Sequence, residues 1–327
     1  MSEKRSSYLI ATMSLVALLV VAIAIAGCTS NGTNAPAGTP AATAVPTAVM
    51  TASSETPVVT PAVTAAPTAP VQKQTIKISG STTILPIVQK AADQYMAAHP
   101  EADIQVTGGA SGVGISQIGG KITDIGMTSR DVTAAEMAKY PDFVITTIAQ
   151  DGIAVIVNPV NTIQYITLDQ VQGIYTGKIT KWNQITGADV PGTNDQIVVV
   201  GRDLGSGTRT YFESVVLPVN VTPINSMLSF NSNGAVEQSV QQTPGAIGYV
   251  SIGFLTPDTK AVPIWYNADK IIPPTVANVK DMSYPMSRNL YLITNGKPTG
   301  LTADFINYIL SPDGQKIVAD EGYVPLS

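Results

Sequence analysis

Between residues 75 and 218 a short apolar run feeds a turn of glycines and hydroxyls that opens a helix, three times over. Ile76-Lys-Ile78 alternates like a strand and runs into Ser79-Gly-Ser-Thr-Thr83. An apolar-periodic stretch follows from Leu85 to about Ala98, with Leu85, Val88, Ala92 and Tyr95 on one helical face. Pro86 suits the first turn, where its missing N–H is not needed, and His99-Pro100 ends the helix. Next, Asp103-Ile-Gln-Val106 meets Thr107-Gly-Gly-Ala-Ser-Gly-Val-Gly114 and a short helix with Ile115 and Ile118 turned inward. Finally, Gln196-Ile-Val-Val-Val200 meets Gly201-Arg-Asp-Leu-Gly-Ser-Gly-Thr-Arg209, and a helix from Thr208 to about Val216 stops at Pro218. Strands alternating with helices imply an α/β fold with mainly parallel sheets. Ligands of such sheets sit at the carboxyl ends of the strands, where all three turns lie.

The turns have a chemical meaning. The first N–H groups of a helix lack partners within it, and the helix dipole adds partial positive charge there. Glycine lets an anion approach the backbone, and serine or threonine adds a hydroxyl donor. One such turn alone is an ordinary N-cap. Three, one of them carrying Arg202, point to a shared oxyanion site. Arg202 can meet two anion oxygens with its planar fork, the alternative being a surface ion pair with Asp203. Arg130 and Arg209 are weaker candidates.

Several chemistries are excluded. The nucleotide-hydrolase loop needs Gly-x4-Gly-Lys-Ser/Thr, and no lysine stands there. The dinucleotide fingerprint begins at Gly112-Val-Gly114 but fails at Gln117. The single histidine, His99, sits at a helix end and is a poor general base, and one Cys with one His makes no zinc site. A net charge of −5 without a basic face argues against nucleic acid. The chain reads as one that binds rather than reacts, without a cofactor or metal.

Lys121-Ile-Thr-Asp-Ile-Gly-Met-Thr-Ser-Arg130 raises the question of which anion. Ile122 to Gly126 reads as a short strand end with Asp124 in it. A carboxylate beside an anion repels it unless the ligand carries a proton. Phosphate does near neutral pH, and sulfate does not. A site built to receive a hydrogen bond rejects a ligand that cannot give one by about 10⁴-fold or more.

The ends of the chain set its address. Lys4 and Arg5, the apolar run Tyr8 to Ala26 and the small residues before Cys28 read as an export signal over residues 1–27. Ile25-Ala26-Gly27-Cys28 resembles a lipobox, which implies lipidation at Cys28; the alternative is an uncleaved membrane anchor. Residues 28–74 are rich in Ala, Thr and Pro and read as a disordered tether without a core. Either reading places the rest outside the cytoplasm, at the outer face of the cell membrane.

Taken in order, Gly80-Ser-Thr-Thr83, Gly109-Ala-Ser-Gly112, Thr123-Asp-Ile-Gly126 and Arg202-Asp-Leu-Gly-Ser-Gly-Thr-Arg209 resemble the substrate-binding proteins of phosphate ABC importers, the PstS-like family. Gly173-Ile-Tyr-Thr-Gly177, Ile179-Thr-Lys-Trp-Asn183, Gly245-Ala-Ile-Gly-Tyr249 and Tyr284-Pro-Met-Ser287 extend the resemblance over about 75–327. Leu204 departs from it, since smaller residues are commoner there. The resemblance implies a two-lobed type II periplasmic-binding-protein fold with two hinge crossings and a ligand cleft. Lobe I would hold 75–152 and 284–327, and lobe II 153–283. Phosphate would be held by Thr82 or Thr83, by Ser111, Asp124 and Arg202, and by Ser206, Gly207 and Thr208. The expected protein is a lipid-anchored monomer that hands inorganic phosphate to the membrane subunits of an ABC importer. The alternatives are a binding protein for sulfate, molybdate or tungstate, and a secreted phosphohydrolase.

Overall fold

The structure, a computed structural model, describes residues 73–192, 194–266 and 270–326, which fall within one unit, Pro67–Ser327. The export signal, Cys28 and the tether as far as residue 72 lie outside the described residues. The first part of the chain forms β1 (Gln74–Ser81), α1 (Leu85–Ala98), β2 (Ala102–Gly109), α2 (Ser111–Gly119), β3 (Ile125–Thr128) and α3 (Ala134–Lys139). The long strand β4 (Phe143–Val157) follows. Then come β5 (Ile166–Thr167), α4 (Leu168–Tyr175), β6 (Val198–Arg202), α5 (Gly207–Val216), β7 (Leu228–Phe230), α6 (Asn233–Gln242) and β8 (Ala246–Ser251). After β9 (Lys260–Val262), β10 (Ile264–Tyr266), β11 (Lys270–Ile272) and α7 (Val276–Lys280), the chain returns as β12 (Ser287–Asn295) and ends in α8 (Gly300–Leu310) and α9 (Pro312–Asp320).

One sheet runs β2-β1-β3-β12-β4-β8-β6-β7, with β9 also on β4, while β11, β10 and β5 form a small separate sheet. β1 is parallel to β2 and β3, and β6 is parallel to β8 and β7. The pairings of β12 with β3 and β4, and of β4 with β8, are antiparallel. The sheet is therefore parallel at its two wings and antiparallel in the middle. This follows from β4, whose Phe143–Gly152 portion pairs with β12 while Ile153–Val157 pairs with β8.

Two apolar cores lie on either side of that handover. One gathers Ile78, Val88, Ile125, Ala149, Leu290 and Phe305, and the other Ile153, Tyr175, Trp182, Phe212, Tyr249 and Met286. The chain passes between them on β4 after Ala149 and returns ahead of Leu290. Asp151 and Arg288, register partners on β4 and β12, stand at the crossing.

Local rules account for most element ends. The α1 helix buries Ile87, Val88, Ala91, Ala92 and Tyr95, a stripe spaced for one face. Ser311 caps α9 by accepting from Gly314 N at 3.3 Å, and Pro312 opens that helix. Two strand boundaries differ from the sequence reading. The run at 196–200 enters the sheet two residues late, at Val198, because Gln196 instead bridges Lys181. The short strand expected at 122–126 runs Ile125–Thr128, a shift that decides the fate of Asp124.

Candidate functional site

Every turn at the carboxyl end of a wing strand points into one region. β1 delivers Ser81, Thr82 and Thr83, β2 delivers Ser111 at the start of α2, and β3 delivers Ser129. From the other half, β6 ends on Arg202 and leads to Ser206, which caps α5 by accepting from Arg209 N at 3.2 Å. β7 leads to Ser232, the cap of α6, and to Asn233. Gly80 makes the first turn possible. Its φ of +134° favours glycine, and a Cβ there would overlap Met127 O.

The side chains meet across the two halves. Thr83 Oγ1 lies 3.0 Å from Thr208 Oγ1, and Asn233 Nδ2 donates to Thr83 Oγ1 at 3.0 Å. Arg202 Nη2 donates to Thr82 Oγ1 at 3.1 Å. Gly112 N donates to Gly205 O at 3.1 Å. On the first half, Ser129 N donates to Ser111 Oγ at 3.1 Å, and Ser81 Oγ donates to Ser129 Oγ at 2.9 Å. Gly207 closes the gap, because a Cβ there would overlap Ser111 Oγ and come within 2.9 Å of Ser129 Oγ. Ser81, Thr83, Ser111, Ser129, Ser206, Thr208 and Asn233 are buried, and Thr82 is half-buried at the rim. A cleft of about 280 Å³ lined by Thr82, Ala110, Asp203 and Asn231 opens beside them.

Two guanidiniums supply the charge. Arg202 is only 1% exposed; its Nε and Nη2 donate to the Phe230 and Asn231 carbonyls at 3.2 and 3.0 Å. Its Nη1 is buried without a hydrogen-bond partner. Burial lowers its pKa from 12.5 to about 10, with Asp203 and Tyr249 pulling the other way. Arg202 is thus not the exposed partner of Asp203 that its position in the sequence allowed. Arg288 holds Asp151 Oδ2 with Nε at 3.0 Å and Nη2 at 2.7 Å, and donates from Nη1 to Ser129 O at 2.8 Å. Burial pushes the Asp151 carboxyl up, against the pull of Arg288, the Ser251 hydroxyl and the Ile252 amide. The result is an enclosed, donor-rich nest with a cation facing it, suited to a small oxyanion. Among the described residues no cluster of three or more His, Cys, Asp or Glu could hold a metal ion.

Of the residues singled out in the sequence, Thr82, Thr83, Ser111, Arg202, Gly207 and Thr208 come together here, with Ser206 in the same turn as the helix cap. Asp124 does not, which corrects the expectation that it faces the ligand. Its Oδ2 accepts from Lys77 N at 2.8 Å, its own N–H donates to Lys77 O at 2.8 Å, and it is exposed. Because the strand begins after Asp124, that residue lies at the amino end of β3, about 16 Å of extended chain from Ser129 at the carboxyl end. Arg130 is committed to Glu136 at 2.7 and 2.8 Å, and Arg209 to Glu213 at 2.6 Å and Arg202 O at 2.9 Å. His99 stacks on Tyr95 at the end of α1.

Ser129, Asn233, Asp151 and Arg288 complete the nest and its support without having been read as site residues. Two of them carried a signal. Asn231-Ser-Asn-Gly234 is a fourth hydroxyl-and-glycine turn after a strand, and Ser129 is the first hydroxyl beyond β3. Arg288 had none of its own, since its meaning comes from the strand beside it.

Comparison with known proteins agrees with this architecture. Residues 41–313 match the family model described as a PBP superfamily domain. The chain is 35% identical over 254 residues to the phosphate-binding protein PstS of Bacillus subtilis, covering 77% of this chain and 81% of the relative. A Clostridium perfringens protein described as a phosphate ABC transporter substrate-binding protein, crystallised with bound phosphate, superposes with a TM-score of 0.72 at 32% identity; the match spans 78% of this chain and 100% of that one. An ABC-type phosphate transport receptor from Vibrio cholerae gives a TM-score of 0.62 at 33% identity, over 76% of this chain and 99% of its own.

Proposed function

Since the chain belongs to the family of phosphate ABC-transporter substrate-binding proteins, with their type II periplasmic-binding-protein fold, we propose that its nest binds inorganic phosphate for delivery to an ABC importer. It is a binding protein, not an enzyme. The observation that carries the reading is the buried Arg202 Nη1, left without a partner among hydroxyl donors from both halves. An anion accepting from Arg202 and from hydroxyls of both lobes, 75–152 with 284–327 and 153–283, favours their closure, with bending at the β4 and β12 crossings. The ligands are Thr82, Ser111, Ser129, Arg202, Gly207 and Thr208, with Thr83 backing Thr208 through its hydroxyl and Ser206 holding the α5 N-terminus in place. Each charge-assisted hydrogen bond is worth about 1.5–3 kcal/mol, so a few suffice for micromolar affinity or better.

The closed surface is what the importer's membrane subunits meet. Lipid on Cys28 and the tether of residues 28–74 hold the monomer at the outer face of the membrane and raise its concentration near the importer. With Asp124 outside the nest, the case against a fully ionised ligand weakens, and sulfate stands as the second reading. Titration calorimetry of the 73–327 fragment with phosphate, sulfate and molybdate decides between them. Saturable heat with phosphate that excess sulfate does not suppress is expected; equal displacement by sulfate would overturn the assignment.

A further inference from the structure

Arg288 lies at the crossing between the two cores, yet its guanidinium reaches hydroxyls of the nest from both halves. Asp151 holds it from one side. That carboxylate is itself fixed by Ser251 Oγ at 2.7 Å and Ile252 N at 3.3 Å on Oδ1, and Ser129 O takes Nη1. The fork is therefore locked on both edges. Its Nη2 lies 3.1 Å from Thr208 Oγ1 and 3.4 Å from Thr83 Oγ1, giving one hydrogen to Asp151 and sharing the other between the two threonines.

Hydrogen directions follow by counting. Ser251 N, which can only donate, points at Asn233 Oδ1 at 3.3 Å, so the amide nitrogen of Asn233 faces Thr83 as a donor. Thr83 Oγ1 then accepts from Asn233 and Arg288, and its single hydrogen is left for Thr208 Oγ1. Thr208 Oγ1 accepts from Thr83 and Arg288, and only its own hydrogen remains free. The serine side differs. Ser81 Oγ donates to Ser129 Oγ, Ser129 N donates to Ser111 Oγ, and the 3.3 Å contact between the two hydroxyls uses one more lone pair. One of their four lone pairs stays open to receive a hydrogen.

We infer that Arg288, held by Asp151, is a specificity-determining positioning residue that makes the Thr83–Thr208 wall a pure hydrogen donor. A protonated ligand oxygen is turned toward Ser111 and Ser129, and unprotonated oxygens face Thr208. This inference rests on the phosphate-binding reading above. It goes further in assigning the orientation of the bound anion to a side chain not counted among the ligands.

The test is a double-mutant cycle of Arg288→Lys and Thr208→Val, read by phosphate calorimetry well below the unfolding temperature of each protein. Lysine keeps the charge but cannot span Asp151, Ser129 O and Thr208 together. Arg288→Lys is expected to weaken binding about tenfold or more. The effect of Thr208→Val should be several-fold smaller in that background than in the wild type. A merely structural role would give additive losses. Asn233→Ala, which spares the ion pair but frees a lone pair on Thr83, should couple to Thr208→Val in the same way and serves if Arg288→Lys fails to fold. Wild-type affinity in the folded variants, or additivity throughout, overturns the inference. Sulfate binding in place of phosphate refutes the functional reading and, with it, the placing of a protonated oxygen at Ser111 and Ser129; the same cycle run with sulfate then tests the donor role of the Thr83–Thr208 wall by itself. A wild type that binds no oxyanion refutes both.

Discussion

Replacing Arg202 with methionine separates ligand binding from folding. Methionine fills much of the same space and removes the charge. Binding loses up to two charge-assisted hydrogen bonds, each about 1.5–3 kcal/mol, and at the lower bound the total of about 3 kcal/mol is an affinity loss of about 150-fold. The ligand-free protein loses the Arg202 bonds to Phe230 O, Asn231 O and Thr82 Oγ1. It also escapes the cost of burying the charge. A pKa lowered from 12.5 to about 10 corresponds to about 3 kcal/mol. The two effects offset, and ligand-free stability should stay within about 2 kcal/mol of the wild type. Phosphate at 1,000 times the wild-type Kd stabilises the wild type by about 4 kcal/mol, and at that concentration the variant should gain only about 1 kcal/mol. Urea unfolding with and without phosphate, alongside calorimetry, measures all three quantities. A variant that binds phosphate within threefold of wild type would show that the Arg202 fork does not contact the anion.

Two other substitutions probe the carboxylates. Asp124→Asn should leave phosphate affinity and the preference over sulfate unchanged in competition calorimetry, because Asp124 is bound to Lys77 at the far end of the strand; its stability should drop by no more than about 1 kcal/mol. Glu136 is held down to about 2, first by its hydrogen bonds from Arg130. Its folded pKa lies below its unfolded one, so its contribution to stability is present above the ordinary carboxylate range and fades as pH falls from about 4.5 toward 2. Glu136→Gln should flatten the decline of the urea midpoint in that window, and an unchanged slope would show that the Arg130 pair does not drive it.

The repeated motif of strand, hydroxyl turn and helix was legible because it rests on local physics. Alternation at Ile76–Ile78, the apolar stripe of α1, and the stops at His99-Pro100 and Pro218 depend on neighbours a few residues apart. So does the anion-attracting nature of a glycine-and-hydroxyl helix start, which made Thr83, Ser111 and Thr208 candidates, and the structure brings the three together. Asp124 shows the limit. The same letters permit a strand ending at 126 or one beginning at 125, and only pairing of Ile78 with Ile125 on β1 chose the second. That choice sent Asp124 to one end of the strand and Ser129 to the other.

What the chain by itself determined, then, was an α/β fold with oxyanion-type turns at its strand ends. Tertiary structure decided which polar groups share the enclosed space. Asp151 and Arg288 are 137 residues apart and became partners only when β12 paired antiparallel with β4. Burial then made their ion pair a fixed support, since charges taken out of water hold their partners tightly. Hydrogen-bond direction among the threonines and serines is likewise a property of the assembled nest, because each hydroxyl's hydrogen goes where its neighbours leave it an acceptor.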